Sequence, residues 1–303
     1  MLFAISPAVT VKRQWLTVDG PRSQSLREAG EEVHTVPTFD LDHFNFSNPL
    51  QSAILALKLR PRFVVTTGAG VVFTFAFLSW LFGAKVIFVE TMARVSEPSK
   101  TGAALARIAR LHIVQWPELK RHFPRAKLCR PALLPDHVEL DVTGRGTFVS
   151  LGTHPEPFER LLDMVDAALV AGLLPGPCVV QGKAASRSPR MRYVDTMTPV
   201  EFQKVLGASR YVVGHAGAGF VSTALAHGRR PIVLPRLSSH GEHVDDHQLQ
   251  LARKLAQLGL VVSAANGLSA ETVAAVDEPL SNDDVFAGLP AATDLISRCL
   301  ADG

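Results

Sequence analysis

Short runs of β-branched and aliphatic residues alternate with longer stretches of mixed polarity from one end of the chain to the other. In the first half, residues 14–18, 62–67, 85–90 and 111–116 read as strands. Prolines, glycines and mixed charge break the rhythm over residues 120–146, which puts a domain boundary near 140. The rhythm resumes with expected strands at 147–153, 178–181, 211–214, 231–234 and 260–263. Helices are expected between them at about 157–171, 199–207, 218–227 and 242–258, with further helices to the end. Apolar strands without polar alternation belong to parallel sheets covered on both faces. Their regular exchange with helices predicts an α/β protein of two Rossmann-like domains, residues 1–140 and 141–303, with a cleft between them.

One apolar run stands apart. Val71–Phe82 (VVFTFAFLSWLF) is twelve residues long, short of the roughly 20 needed to span a bilayer. Its aromatics, Phe73, Phe75, Phe77, Trp80 and Phe82, fall on all sides of a helical wheel, whereas a core helix facing solvent keeps a polar stripe. The run reads as a segment touching one membrane leaflet, with plain burial as the alternative.

Composition adds a little. The three cysteines, Cys129, Cys178 and Cys299, are odd in number and far apart, which fits free thiols in a reducing compartment. No secretory leader is read at the N-terminus. Net charge is +3, yet residues 1–140 hold 17 Lys and Arg against 11 Asp and Glu, and residues 141–303 hold 14 against 17. A basic half with apolar surface suits an anionic membrane face or a pyrophosphate-bearing substrate, and ordinary solubilising charge accounts for it equally well. No nucleic-acid partner is expected.

Chemistry concentrates where strands hand over to helices, the edge at which open α/β sheets bind ligands. RLSSHGEHVDDHQ (236–248) packs three histidines, two aspartates, a glutamate, an arginine and a glutamine into thirteen residues. His243 and His247, four apart on an expected helix, could ligate zinc, although no glutamate follows His243 directly as in zincins. Acidic residues at a helix start also suit the macrodipole without any ligand. GlyHisAlaGlyAlaGly (214–219) follows a strand and opens a helix, so its backbone can approach a phosphate, with His215 as a donor; a tight turn would need glycine anyway. LeuGlyThrHis (151–154) ends another strand. In the first half, Thr67-Gly-Ala-Gly70 and Glu90 end strands, and Arg94 follows Glu90 closely enough for a loop-holding ion pair. A carboxylate at that edge is the kind of group that activates a hydroxyl, with Asp40, Asp42 and His43 as the next candidates.

The chain resembles a known family through long motifs over roughly residues 15–265. SLGTHPEPFERLLDMVD (150–166), HAGAG (215–219) and PIVLPRLSSHGEHVDDHQLQLARKLAQLGL (231–260) are similar to the donor-binding subunit of the two-part UDP-GlcNAc transferase of N-glycan assembly. They are more similar still to its bacterial exopolysaccharide counterpart. VVTTGAGVVFTFAFLSWLFGAKVIFVETMARVSEPSKTG (64–102) and VQWPEL (114–119) resemble the membrane-bound partner subunit. The resemblance implies a fusion of the two with a GT-B fold, in the manner of glycosyltransferase family 28. It implies an inverting, metal-independent hexosyltransferase without a cofactor. That enzyme would move a sugar from a UDP-sugar to a polyprenyl-diphosphate-linked saccharide at the cytoplasmic membrane face, held peripherally or monotopically.

By the same resemblance Gly152, Thr153, His154, His215, Gly217, Ala218 and Gly219 would hold UDP. Arg236, Glu242, His243, Asp246, His247 and Gln248 would line the pyrophosphate and sugar, and Gly68, Gly70 and Arg94 the acceptor, with Glu90 as base. Relatives carry an Asp-Gln pair where this chain has His247-Gln248, and a ribose-binding glutamate where it has Thr223. They also begin with a strand and a GlyGlyHis loop, which this chain is expected to lack. A non-catalytic, nucleotide-binding membrane scaffold is the rival reading. Homo-oligomers and other polysaccharide-assembly proteins are the further partners in view.

Overall fold

The computed structural model describes residues 2–9, 12–37, 47–68, 70–135, 137–185, 188–243, 246–278 and 286–302. The chain forms two compact units, residues 1–132 with 288–303, and residues 133–287.

The first unit opens with α1 (Leu2–Ile5), β1 (Trp15–Thr17), α2 (Pro21–Glu28), β2 (Val33–Thr35) and α3 (Ser47–Leu59). Next come β3 (Phe63–Thr66), α4 (Gly70–Leu81), β4 (Lys85–Val89), α5 (Lys100–Leu105), β5 (Ala109–Val114) and β6 (Lys127–Leu128). β1 and β2 form a parallel pair of their own, and β3-β4-β5-β6 form a parallel sheet in that order. β4 shows why its sequence is apolar throughout. Phe88 packs on one face with Ala76 and Leu105, while Ile87 and Val89 pack on the other with Ile5, Ala8 and Ile113. Successive strand residues point to opposite faces, so a sheet covered on both sides needs apolar residues at every position.

α3 packs along α4. The buried Asn48 amide joins them, donating to the Pro37 carbonyl at 2.6 Å and the Val71 carbonyl at 3.1 Å. The aromatic wheel of α4 divides: Phe75, Ala76 and Ser79 are buried, while Phe77, Trp80, Leu81 and Phe82 stay exposed. Phe73, Phe77 and Trp80 stack in sequence along the helix, with centroid separations of 6.1 and 5.7 Å. On α3, Leu50, Ile54 and Leu57 are exposed as well, one helical face apart from the buried Asn48, Ser52 and Ala56. Among the described residues no helix is long and apolar enough to cross a membrane.

The second unit runs β7 (Thr147–Ser150), α6 (Glu159–Val170), β8 (Cys178–Gln181), β9 (Met191–Val194), α7 (Pro199–Ala208) and β10 (Tyr211–His215). It continues with α8 (Ala218–Ala226), β11 (Ile232–Leu234), α9 (His247–Gln257), β12 (Val262–Ser263) and α10 (Ala270–Ala274). Its parallel sheet has the order β12-β11-β10-β7-β8-β9. The chain therefore winds outward from β7 through β8 and β9, then crosses back to β10 and outward the other way. That reversal puts a topological switch between β7 and β10. Thr198 and Glu201 start α7 with a reciprocal capping box around Pro199: the Thr198 hydroxyl accepts the Glu201 amide and the Glu201 carboxylate accepts the Thr198 amide.

Two expectations shift. The boundary lies at 132/133 rather than 140, because residues 139–144 are tied into the second unit. The Asp141 amide donates to the Gly228 carbonyl at 2.8 Å, and the buried Arg229 reaches the carbonyls of Asp141 and Thr143. Nor does the second unit extend to residue 303. A last helix, α11 (Ala292–Ala301), returns to the first unit, burying Ala292 and Ile296 against Ile5, Ala8 and Ile113. Ile296 is fully buried, so Ile296→Ala is expected to cost about 2 to 5 kcal/mol. Chemical denaturation followed by a first-unit tryptophan such as Trp116 measures it; a loss under 1 kcal/mol would mean that α11 does not contribute to that core.

Candidate functional site

In the second unit, the carboxyl edge at the switch point gathers the residues that the sequence singles out. β7 hands over to Leu151–His154, β10 ends on His215, and β11 leads through Pro235 into the 236–248 loop.

His215 sits in a slot cut by glycines. Its Nδ1 lies 3.4 Å from the Ser150 carbonyl, and its ring stacks on Phe220 at 5.6 Å and 28°. A Cβ on Gly152 would meet the imidazole at 2.9 Å, and one on Gly217 would meet Nε2 at 2.3 Å. A Cβ on Gly214 would strike Phe220 and the Ser150 carbonyl, each at 2.7 Å. Gly152 and Gly217 are required by the space of the His215 ring, Gly152 also by its φ of +83°, and Gly214 by Phe220 and the Ser150 carbonyl. Burial is the main cause that pushes the His215 pKa down to about 4; the Ser150 bond opposes it, and Arg236 and His243 add to the fall.

Gly217 is the N-cap of α8 and carries no side-chain cap. The Val221 amide returns to the Gly217 carbonyl, so the amides of Ala218, Gly219 and Phe220 lead the helix. Leading amides and the positive end of the helix dipole favour an anion. On the same helix the Thr223 hydroxyl donates to the Gly219 carbonyl at 2.8 Å.

Across from this turn stands a column of imidazoles. The rings of His154 and His243 are 4.8 Å apart, and those of His243 and His247 are 4.7 Å apart, edge to face. Burial, then His243 and Arg236, lower the pKa of His154 against the pull of Glu156. Among the described residues no group of three or more His, Cys, Asp or Glu side chains is arranged to hold a metal. α9 begins at His247 rather than near 242, so His243 and His247 do not share a helix face.

The remaining loop residues hold the loop together. Arg236 is 1 % exposed, and its guanidinium donates to the carbonyls of Leu151, Glu156, Pro157 and Glu242 at 2.8–3.4 Å while lying 4.6 Å over the Phe158 ring. Glu242, also buried, accepts two bonds from Arg160, at 3.0 and 2.7 Å, and one from the Leu237 amide. Gln248 accepts the Arg236 amide, and Asp246 accepts both the amide and the hydroxyl of Ser238. Arg236, Glu242, Asp246 and Gln248 thus shape the site from behind. The face they shape is made by Gly152, Thr153, His154, His215, Gly217, Ala218, Gly219, His243 and His247.

In the first unit Glu90 follows β4 and is fully buried. Its carboxylate accepts the Thr91 amide at 3.0 Å, and the Ser99 amide and hydroxyl at 3.1 Å each. A Cβ on Gly102 would lie 2.2 Å from Oε2. Gln115 donates to the Glu90 carbonyl and Trp116 to the Met92 carbonyl, both at 2.6 Å. Glu90 therefore works as a clasp for residues 91–99, with three of its roughly four acceptor positions taken up inside its own loop. Arg94 lies within that loop and helps to stabilise the Glu90 charge. Gly68 ends β3 beside Phe88 and Thr101, and Gly70 opens α4, at the same sheet edge. Asp40, Asp42 and His43 lie outside the described residues.

Sequence reasoning missed the supports: Arg160, Phe158, Phe220, Ser99 and Gln115. All but Phe220 lie within the quoted motifs, Phe158 and Arg160 in 150–166, Ser99 in 64–102 and Gln115 in 114–119, but nothing in those motifs marks them as supports.

Comparison with known proteins identifies the two halves separately. Residues 43–131 match the family described as "Oligosaccharide biosynthesis protein Alg14 like", and residues 182–285 match the "Glycosyltransferase family 28 C-terminal domain". The chain thus joins a segment similar to Alg14-like proteins to one similar to the family 28 C-terminal domain. The UDP-N-acetylglucosamine transferase subunit ALG14 of Candida albicans is 33 % identical over 84 residues, which are 26 % of this chain and 38 % of that protein. Its mouse counterpart is 31 % identical over 113 residues, 35 % of this chain and 48 % of that protein. The chain thus spans less than half the length of each of these relatives. Among solved structures, MurG of Acinetobacter baumannii superposes with a TM-score of 0.60 at 17 % identity, covering 96 % of this chain and 91 % of that one. UDP-GlcNAc 2-epimerase of Methanocaldococcus jannaschii gives 0.65 at 12 %, covering 100 % and 96 %. The fold is GT-B.

Burial raises the Glu90 pKa, against the pull of its hydrogen bonds. A carboxyl raised on folding gives up stability as pH climbs from its ordinary value through the folded one. Unfolding of the wild type is expected to show that decline, and Glu90→Gln to lose it. The exchange should also cost about 1 to 3 kcal/mol, because an amide NH₂ then meets the Ser99 donors. An unaltered pH profile in the variant would show that Glu90 is not the titrating clasp.

Proposed function

We propose that the chain is a glycosyltransferase that moves a hexose from a UDP-sugar to a polyprenyl-diphosphate-linked saccharide, in exopolysaccharide or capsule assembly. The observation that carries this is the anion-directed turn at the switch point of the family 28-like unit: the leading amides of α8 beside His215 in its glycine slot. The diphosphate rests at the N-terminus of α8, and the histidine column faces the sugar. Transfer inverts the anomeric carbon, as the acceptor hydroxyl attacks from the face opposite the diphosphate. Charge on the leaving diphosphate is met by helix amides and imidazoles, without a metal. Arg236 acts through the loops it holds and through its field.

The acceptor belongs to the Alg14-like unit. Exposed Leu50, Ile54, Leu57, Phe77, Trp80, Leu81 and Phe82 make an apolar surface on α3 and α4. Lys58, Arg60 and Arg62, at and beyond the end of α3, are exposed too. Apolar side chains with a basic fringe suit peripheral attachment to an anionic leaflet, which we place at the cytoplasmic face. One observation favours a second reading, a nucleotide-binding membrane scaffold without turnover: the carboxylate of Glu90 is taken up within its own loop.

UDP is expected to raise the thermal midpoint in a concentration-dependent way in excess EDTA, because it binds the folded state alone. Gly217→Ala, whose Cβ displaces the His215 ring, should weaken UDP at least tenfold. No shift with any nucleoside diphosphate would sink the donor site, and a shift abolished by EDTA would demand a metal. Radiolabelled transfer to a lipid-linked acceptor separates the enzyme from the scaffold. UDP binding without transfer from any UDP-sugar supports the scaffold.

Phe77→Asp combined with Trp80→Asp is expected to release the protein from anionic liposomes in sedimentation assays while preserving cooperative unfolding. Unchanged sedimentation would remove α4 from the membrane contact.

A further inference from the structure

The first unit has a hollow of its own, at the carboxyl edge of β1 and β2. Val18, Asp19, Thr35, Val36, Pro37 and Gln51 line it, and it encloses about 290 Å³. Pockets for small molecules run from about 300 to 1,000 Å³, so this one is on the scale of a small ligand. The parallel pairing sets Thr17 opposite Thr35, and the two chains then leave the pair side by side. The Val36 amide still donates to the Thr17 carbonyl at 2.9 Å. Gln51 comes from α3, whose buried Asn48 holds the Pro37 carbonyl at 2.6 Å. On the other side the fully buried Ser23 of α2 lies 3.0 Å from Oδ1 of Asp19 and accepts the Gly20 amide at 3.1 Å. Buried polar groups outside the hollow thus hold its walls.

The lining selects against an anion. The bonds from Ser23 and then Arg27 hold the Asp19 carboxyl below its ordinary range, so it is ionised at neutral pH. Both bonds fall on Oδ1, at 3.0 and 3.4 Å. A carboxylate has about four acceptor positions, and the rest are left for a ligand. The helix that starts beside the hollow, α2, has Pro21 as its first residue, which lacks an amide hydrogen. Its Gly20 amide is already taken by Ser23. The start of α8 differs on each count: Gly217 brings no side-chain cap and no acid, and the amides beyond it lead the helix. Among the described residues neither the Thr35 hydroxyl nor the Gln51 amide has a protein partner. Both can donate and accept, while Asp19 accepts only. Val18, Val36 and Pro37 add apolar wall. Such a lining matches the hydroxyls and the C–H face of an uncharged pyranose.

We propose that this hollow binds the sugar of the acceptor, a neutral hexose or N-acetylhexosamine whose hydroxyls bond to Asp19, Thr35 and Gln51, and that the acceptor's diphosphate lies outside it. The idea rests on the reading that the first unit takes the acceptor. It adds what that reading leaves open: which residues meet the sugar, and which sugars they refuse. A uronic acid is refused, because its carboxylate would face Asp19 and like charges oppose one another. The glycine turn and α8 of the second unit keep the opposite preference, for a diphosphate. Charge therefore divides the two substrates: an anion at α8 and an uncharged ring at β1 and β2.

The test is ¹H–¹⁵N NMR of the whole wild-type chain, which requires no variant to fold. The probes are the methyl glycosides of glucose, galactose, N-acetylglucosamine and glucuronic acid, with inorganic pyrophosphate and calcium chloride as the charged alternatives. At least one neutral glycoside is expected to shift the amides of Val18, Asp19, Thr35 and Gln51. The glucuronide should bind about tenfold more weakly than the glucoside. Asp19→Ala should weaken the neutral glycoside about tenfold, and Gln51→Ala, an exposed change on α3, about threefold. In the transfer assay both variants should raise KM for the lipid-linked acceptor more than they lower kcat, with UDP affinity unchanged. No shift from any glycoside, or shifts from pyrophosphate or calcium instead, overturns the proposal. A wild type that transfers, with variants whose acceptor KM is unaltered, also overturns it and leaves the transferase standing. If the wild type transfers nothing while a neutral glycoside binds at these amides, the sugar site stands and the transferase reading alone fails.

Discussion

The guanidinium of Arg236 is the interaction on which the second unit's site depends. A charge that deep is costly to bury unless it is fully engaged. Here four backbone carbonyls engage its two terminal nitrogens and the face of Phe158 lies against it, while its buried Nε has no hydrogen-bond partner among the described residues. Those carbonyls come from two loops that are far apart in sequence, 151–157 and 242. Joining them brings His154 beside His243. Its removal would leave four carbonyls without their donor and two loops without a common anchor, so the imidazole column would lose its geometry before it lost a residue.

The first unit follows the same plan with the opposite sign. Glu90, buried at the end of β4, gathers amide donors from 91 and 99 as Arg236 gathers acceptors. In both units a buried ion just past a central strand fixes the next loop, and Gly102 makes room for one as Gly152 and Gly217 make room for His215. Loops at this edge cannot bond to a neighbouring strand, so their backbone groups need other partners. A single ion with several hydrogen-bonding atoms satisfies many of them at once. The result is a pair of stiff edges, and stiffness is what a site needs if its donors are to meet charge without rearranging.

Much of this was legible in the sequence. The strands of the second unit are runs of β-branched residues, and 178–181 and 211–214 are found almost where the pattern puts them. The glycine turn and the histidine-rich loop do lie together. What was not legible has physical causes. β2, β6 and β9 are short and carry His34, Lys127 and Arg192 within them, so they show no apolar run. α3 was missed because Leu50, Ile54 and Leu57 face outward, against the usual pattern. Arg236, Glu242 and Glu90 were read as facing a ligand, because a polar side chain at a strand's end looks the same whether it turns out to solvent or in to hold a loop. Only partners distant in sequence, Arg160 for Glu242 and Ser99 for Glu90, decide between the two.

The return of α11 to the first unit has a consequence for how the protein is put together. The chain passes from first unit to second and back again, so no single cut divides it into two complete pieces. During synthesis the first unit's sheet must wait for its last helix until the entire second unit has been made. Ile5, Ala8 and Ile113 stay without the cover of Ile296 for that interval. The order of assembly is thus written into the connectivity: the second unit can close first, and the first unit is finished only when α11 has been made.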